Sequence, residues 1–145
     1  MKISTKGRYA LRVMVDLAAN DTGEFISLRN VSTRQEITIK YLEQIIPLLN
    51  RAGFLKSTRG KDGGYRLAKP SRNYTVGGIL RAVEGNLAPV ACLEDKPNRC
   101  PRRADCSTLN VWAGLDKVIN DYLDGIRLDD LAEREKNIDG FDYSI

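Results

Sequence analysis

Residues 38–66 read TIKYLEQIIPLLNRAGFLKSTRGKDGGYR, and this stretch decides the fold. In its first part, apolar residues recur three and four positions apart, as one face of a helix requires. Thr38 can cap this helix at its start and Gly53 can end it. Its second part has a short extended segment, a glycine cluster carrying cations, and a return segment, which together predict a tight β-hairpin.

The residues before this stretch predict two further helices. Apolar residues recur at helical spacing over residues 6–19, and Ser27 can cap a short helix over residues 28–34. A turn at residues 35–37 separates that short helix from the one after Thr38. Two helices joined by a short turn and followed by a hairpin form a winged helix-turn-helix, in which the second helix enters a DNA major groove and the hairpin contacts the neighbouring backbone or minor groove.

The second half of the chain predicts a loop and a long helix. After a helix from residue 75 or 76 to residue 84, residues 86–106 contain three cysteines and three prolines and should lack regular structure. One broad apolar stripe follows, formed by Val111, Trp112, Leu115, Val118, Ile119, Tyr122, Leu123 and Ile126. A chain this small has little core left to cover that stripe, so the same helix of a second subunit is the expected partner. The alternative is that the stripe packs back onto its own domain.

These patterns give a fold class and four segments. The fold should be mainly α with a small β-hairpin wing: a winged helix-turn-helix plus a long C-terminal dimerisation helix. Residues 1–85 form the DNA-binding domain and residues 86–106 the cysteine loop. Residues 107–136 hold the dimerisation helix and a short last helix, and residues 137–145 form a loose tail.

Charge is divided unevenly along the 145 residues. Residues 1–88 contain 15 Lys/Arg and 7 Asp/Glu, whereas residues 89–145 contain 8 and 12. A basic N-terminal part suits a polyanion such as double-stranded DNA, although a solvated surface with segregated charges would give the same counts. No apolar run approaches the roughly 20 residues of a membrane span, and no signal peptide is evident, so we expect a cytoplasmic protein without a membrane partner.

Candidate DNA-binding residues lie at the start of the helix after Thr38 and at the hairpin tip. Gln44 can read adenine, Glu43 can accept from cytosine, and Lys40 or Thr38 can hold phosphate. Arg59 and Lys61 would enter a minor groove or bind its phosphates. Taken singly, each side chain could equally be part of a solvated surface. The full predicted set is Thr38, Lys40, Tyr41, Glu43, Gln44, Arg59, Gly60 and Lys61.

Three cysteines, Cys92, Cys100 and Cys106, are the candidate metal ligands. Thiolates favour iron–sulfur clusters or zinc, and both normally have four protein or small-molecule ligands. The chain has no histidine, so the fourth ligand would be a nearby carboxylate, a water or small thiol, or a group from elsewhere in a dimer. Cations in the same loop should lower the thiol pKa values, which would also suit bare redox-active thiols.

An enzyme is disfavoured by the same residues. There is no histidine to act as a base, no recognisable nucleophile motif and no Cys-x-x-Cys pair. The glycine run at residues 60–64 lacks the spacing of a nucleotide-binding loop. We therefore expect a non-enzymatic protein.

The sequence resembles the Rrf2 family of bacterial transcription regulators over nearly its whole length. The matching stretches are MKISTKGRYAL at residues 1–11, YLEQ at residues 41–44, and Arg59-Gly60 followed by Gly-Gly-Tyr at residues 63–65. The resemblance implies a homodimer formed through the long helix after the cysteine loop, and binding to partly palindromic operators.

The resemblance also implies two modes of regulation. The three cysteines are similar to those of family members that carry a 2Fe-2S or 4Fe-4S cluster and control iron–sulfur biogenesis. A histidine ligand of one such branch corresponds to Leu109 here, and an aspartate ligand of another corresponds to Arg8. Residues 1–11 and 128–132 also resemble a branch that represses cysteine and sulfur metabolism without a cluster and works with a cysteine synthase partner.

Overall fold

The structure is a computed structural model that describes residues 2–142, with side chains described through Ile138. Its helices and strands are α1 Thr5–Ala19, α2 Leu28–Gln35, α3 Ile39–Arg51, β1 Leu55–Thr58, β2 Gly64–Leu67, α4 Val76–Glu84, α5 Leu109–Asp124 and α6 Leu128–Asp142. The strands form a two-stranded antiparallel hairpin, with Leu55 opposite Leu67 and Thr58 opposite Gly64. The predicted fold class, a mainly α winged helix-turn-helix with a long C-terminal helix, is confirmed.

Hydroxyl caps explain where the first four helices begin. Ser27 accepts from the backbone N of Asn30, and Thr38 accepts from that of Tyr41. Thr75 and Ser4 cap α4 and α1 in the same way. Each cap satisfies an amide that has no partner within its helix. Residues 91–93, inside the segment expected to be irregular, form one short 3-10 turn.

The main core is built around α1. Its Val13 and Met14 are fully buried with Leu42 and Ile45 of α3, and Leu128 of α6 belongs to the same cluster. In space, α6 is therefore part of the N-terminal unit, although about 100 residues of chain separate it from α1. The prediction that the last helix ends at residue 136 is wrong, because α6 continues to Asp142. Of the expected tail, residues 143–145 lie outside the described residues.

A smaller cluster divides the apolar stripe of α5 into two sides. Ile119, Leu123 and Ile126 pack against Val76, Leu80 and Leu87. The other side is exposed, with relative exposures of 60% for Val111, 37% for Trp112, 42% for Leu115, 65% for Val118 and 68% for Tyr122. The alternative that the stripe packs back onto its own domain is therefore confirmed for one side only, and the other side is uncovered in the single chain.

A buried polar cluster fixes the helix-turn-helix on α1. Asp16 is 1% exposed and accepts from Nε and Nη2 of Arg34 at 2.9 and 2.8 Å. Its Oδ2 also accepts from Nε2 of Gln35 at 3.0 Å. Because Arg34 and Gln35 form the last turn of α2, this carboxylate sets the position of α2 against α1.

Candidate nucleic-acid interface

The start of α3 presents most of the residues predicted to read DNA. Lys40, Glu43 and Gln44 are exposed. The hydroxyl of Thr38 accepts from the backbone N of Tyr41 at 3.2 Å, so it caps the helix. Tyr41 is half-buried, and its ring meets that of Tyr9 edge to face at 5.3 Å. Its ring contact positions α3, a role that the sequence analysis did not assign to it.

The hairpin tip places its cations in solvent. Arg59, Gly60 and Lys61 are all exposed. Gly60 has a φ of 102°, and its carbonyl accepts from the backbone N of Gly63 at 3.0 Å, which closes the turn. Only glycine adopts this backbone conformation readily. The tip therefore presents two cations on a compact turn.

Gly64 is glycine for a different reason from Gly60. Among Gly60, Gly63 and Gly64, only Gly60 has a positive φ. A Cβ on Gly64 would lie 2.1 Å from the carbonyl oxygen of Ile26. Backbone hydrogen bonds of 2.8 Å run in both directions between Ile26 and Tyr65. The segment between α1 and α2 thus adds a third extended chain to the wing.

Two aromatic contacts hold the base of the wing. Arg66 donates to the carbonyl of Gly23 at 2.6 Å and lies over the ring of Phe25 at 4.8 Å. The buried Tyr74 donates its hydroxyl to the carbonyl of Phe54 at 2.8 Å, and its burial raises the pKa of that hydroxyl. The Arg66 guanidinium is therefore held by contacts within the protein, whereas Arg59 at the hairpin tip is exposed. Sequence periodicity carries no signal for contacts of this kind.

The wing and α3 are neighbours. Glu43 and Pro47 of α3 and Tyr65 of β2 line one groove, which Leu28 of α2 also borders. A helix with exposed polar residues and a neighbouring hairpin with exposed cations can contact bases and phosphates of the same duplex. The geometry supports a DNA-binding surface formed by α3 and the wing.

The three cysteines are half-buried free thiols in the loop between α4 and α5. Sγ of Cys106 lies 3.4 Å from the Thr108 hydroxyl. This hydrogen bond is the main cause of a lowered pKa at Cys106, and Arg102 contributes least. The expectation that cations of the loop lower the thiol pKa is therefore confirmed in direction for Arg102 at Cys106, although the hydrogen bonds of Thr108 have the larger effect.

The donor atoms of the loop suit a soft metal, but they are not gathered around one point. Within residues 2–138, whose side chains the structure describes, no three Cys, Asp or Glu side chains lie close enough together to hold a metal ion. Glu94, Asp95 and Asp105 do not complete a ligand set with the thiols. The arrangement of the loop therefore does not fit a closed iron–sulfur or zinc site, although three thiols are the right chemistry for either.

Comparisons with known proteins identify similar regulators. The family model Rrf2, described as an iron-dependent transcriptional regulator, matches residues 3–134. An HTH-type transcriptional regulator of Neisseria meningitidis is 41% identical over 140 residues, covering 97% of this chain and 93% of that protein.

Solved structures of related regulators share the fold. CymR, the global cysteine regulator of Bacillus subtilis, superimposes with a TM-score of 0.74 at 36% identity, covering 92% of this chain and 98% of that one. The IscR of T. potens superimposes with a TM-score of 0.73 at 37% identity, covering 94% of this chain and 90% of that one.

Among the described helices, none is long and apolar enough to cross a bilayer.

Proposed function

The chain belongs to the Rrf2 family of DNA-binding transcriptional regulators, and from this premise we propose that it binds a partly palindromic operator as a homodimer. The observation that carries the proposal is the exposed polar start of α3, together with a wing whose exposed tip bears Arg59 and Lys61 and whose Tyr65 lines a groove with α3. In each subunit, α3 enters the major groove and the wing contacts the adjacent backbone or minor groove. The non-enzymatic role expected from the sequence is part of this proposal.

Each side chain has a distinct role in this proposal. Gln44 pairs with adenine, Glu43 accepts from cytosine, and Lys40 binds phosphate. Gly60 gives the tip its turn and so carries Arg59 and Lys61 to the DNA. Thr38 and Tyr41 contribute mainly by holding the first turn of α3 in place.

Replacing the wing arginine provides the first test. We expect Arg59→Ala to weaken specific operator binding by about 1–3 kcal/mol, because a cation bound to phosphate or in the minor groove is lost. Gel-shift titration on a duplex selected by the wild-type protein measures this effect. Arg134→Ala, on the exposed surface of α6, should leave affinity unchanged, and unchanged affinity in Arg59→Ala would contradict the role of the wing.

We propose that the exposed side of α5 forms the dimer interface. It presents two aromatic and three aliphatic side chains in a row, while the other side of the helix is used by the core. Apolar stripes of this size are usually covered by a partner. A dimer would also place two copies of α3 at a fixed separation, as two operator half-sites require.

We propose that the cysteine loop is the sensing part of the regulator and that Cys92, Cys100 and Cys106 take a 2Fe-2S or 4Fe-4S cluster. Support comes from three soft ligands within one loop and from the description of the family as iron-dependent. The loop must rearrange for this, and the fourth ligand must come from a carboxylate, a small thiol or the second subunit. The regulated genes would then serve iron–sulfur biogenesis or cysteine and sulfur metabolism.

The alternative regulator uses the same loop without a cluster. Zinc, oxidation of the thiols or association with cysteine synthase would then adjust DNA binding. The lowered pKa of Cys106 favours thiol chemistry at that residue. The likeness to the B. subtilis cysteine regulator supports the sulfur-metabolism assignment.

Iron and acid-labile sulfide, measured per chain in anaerobically purified protein, separate these mechanisms. We expect visible charge-transfer bands with matching iron and sulfide, and their loss when all three cysteines are changed to serine. That variant should keep the helical circular dichroism of the wild type, because all three cysteines lie outside the main core. Colourless wild-type protein after reconstitution would favour zinc, thiol oxidation or a protein partner.

A further inference from the structure

A carboxylate joins the end of α4, where the chain enters the cysteine loop, to the start of α1. Oε1 of Glu84 accepts from the backbone N of Ser4 at 2.9 Å and from its hydroxyl at 2.6 Å. The same hydroxyl accepts from the backbone N of Gly7 at 3.0 Å, so it caps α1 while donating to α4. Hydrogen bonds to a charged acceptor are the stronger kind. The first turn of α1 is therefore held by the last residue of α4.

Position 7 must be glycine for this carboxylate to remain in place. A Cβ on Gly7 would lie 2.2 Å from Oε1 of Glu84. Glycine is unfavourable inside a helix, and Gly7 lies inside α1 at a buried position. The close approach of Glu84 gives this glycine a geometric reason.

The helix that Glu84 holds also contacts both helices of the helix-turn-helix, α2 and α3. The ring of Tyr9 packs on Tyr41 in the first turn of α3. Arg12 lies 5.2 Å from the centre of the Tyr9 ring and donates to Oε1 of Gln35, in the last turn of α2, at 3.3 Å. On the same helix, Ala10, Val13 and Met14 are fully buried. A close-packed helix moves as a unit, so a shift at its start reaches Tyr41.

Glu84 is also next to the cysteine loop. It lines one cleft together with Asn86 and Glu94, which belong to the loop, and with Lys2. A rearrangement of the loop would therefore act on the residue that holds α1.

We propose that Glu84 is a positioning residue for DNA recognition: through Ser4 and α1 it sets the orientation of α3, at the point where the cysteine loop begins. Withdrawal of the carboxylate from Ser4 frees the start of α1 and weakens operator binding. The inference rests on the proposed reading of DNA by α3 and adds the physical connection between the loop and that helix.

The test compares specific with non-specific DNA binding. The probe is a duplex selected from a random library by the full-length wild-type protein. Glu84→Ala should bind it about 5- to 30-fold more weakly, the size of a typical coupling between sites. Its binding to an unselected duplex should be unchanged or tighter, because an anionic side chain has been removed.

Three further variants make the comparison specific. Gly7→Ala should reproduce the loss although Glu84 is present, and the double variant should be no weaker than Glu84→Ala alone, because both changes break one contact. Glu84→Gln keeps the accepting oxygen and should restore most of the affinity. Glu133→Ala, at an exposed glutamate of α6, should change neither kind of binding.

An amide NMR spectrum of the DNA-free protein gives a second readout. The backbone amide signals of residues 39–44 should shift in Glu84→Ala and Gly7→Ala and stay in place in Glu133→Ala. Should Glu84→Ala fail to fold, the pair Gly7→Ala and Glu84→Gln carries the same comparison.

Three results would overturn the inference: additive effects of the two substitutions, unchanged specific affinity in the folded variants, or equal losses on both duplexes. If the wild-type protein selects no sequence, the proposed DNA reading fails instead, which is a separate result.

Discussion

Asp16→Ala should lower the free energy of unfolding by about 3 kcal/mol or more, which is the typical loss when one partner of a buried ion pair is removed. The carboxylate is 1% exposed and holds both Arg34 and Gln35. Without it, the buried Gln35 amide loses its Asp16 acceptor, and Arg34 loses its two hydrogen bonds to the carboxylate. Because the side chain of Arg34 is 36% exposed, water can solvate its guanidinium in the variant. The loss should therefore be near the lower end of the range of about 3–5 kcal/mol for a broken buried pair.

Urea denaturation followed by circular dichroism measures this loss. Asp121→Ala is a matched control, because Asp121 forms an ion pair with Lys117 on the exposed surface of α5. Such pairs contribute about 0–1 kcal/mol, so the control should unfold close to the wild type. Equal stabilities of Asp16→Ala and Asp121→Ala would show that the buried cluster does not hold α2.

Val118→Asp should convert the regulator to a monomer and reduce operator affinity by about 100-fold or more, the gain usually obtained by linking two binding units. Val118 is 65% exposed in the single chain, between Leu115 and Tyr122. In the proposed dimer, the new carboxylate would be desolvated in an apolar interface without a counter-ion. Each half-site would then be bound independently.

Sedimentation velocity and gel shift report the two effects separately. Lys117→Ala changes a neighbouring exposed residue of the same helix and should preserve both the dimer and the affinity. Val118→Asp should keep the wild-type circular dichroism, because the core uses the opposite side of α5. A dimeric Val118→Asp protein that binds its operator normally would exclude this face as the interface.

Much of the fold could be predicted because its signals are local. Ser27, Thr38 and Thr75 lie where helices begin, and each was found capping the helix that follows. Apolar periodicity located α1, α3 and α5, since a helix buries residues three and four apart. Candidate DNA-binding residues of α3 and the wing could be nominated for the same reason, as they lie at a helix start and a turn.

Other features could not be predicted because they depend on residues distant in sequence. The contact of Glu84 with Ser4 joins residues 80 positions apart. Periodicity reports which face of an element is apolar, not which element covers it.

The sequence by itself therefore determined the order and type of the elements, the basic wing and the cysteine-rich loop. Only the tertiary structure decided that α6 completes the core around α1, that α5 uses one side internally and exposes the other, and that Gly64 and Gly7 serve close approach rather than positive φ. The physical reason is the sequence separation of the interacting groups. Helix caps and turns satisfy backbone hydrogen-bonding groups with partners only a few residues away. Packing and buried hydrogen bonds are instead decided by which distant surfaces meet.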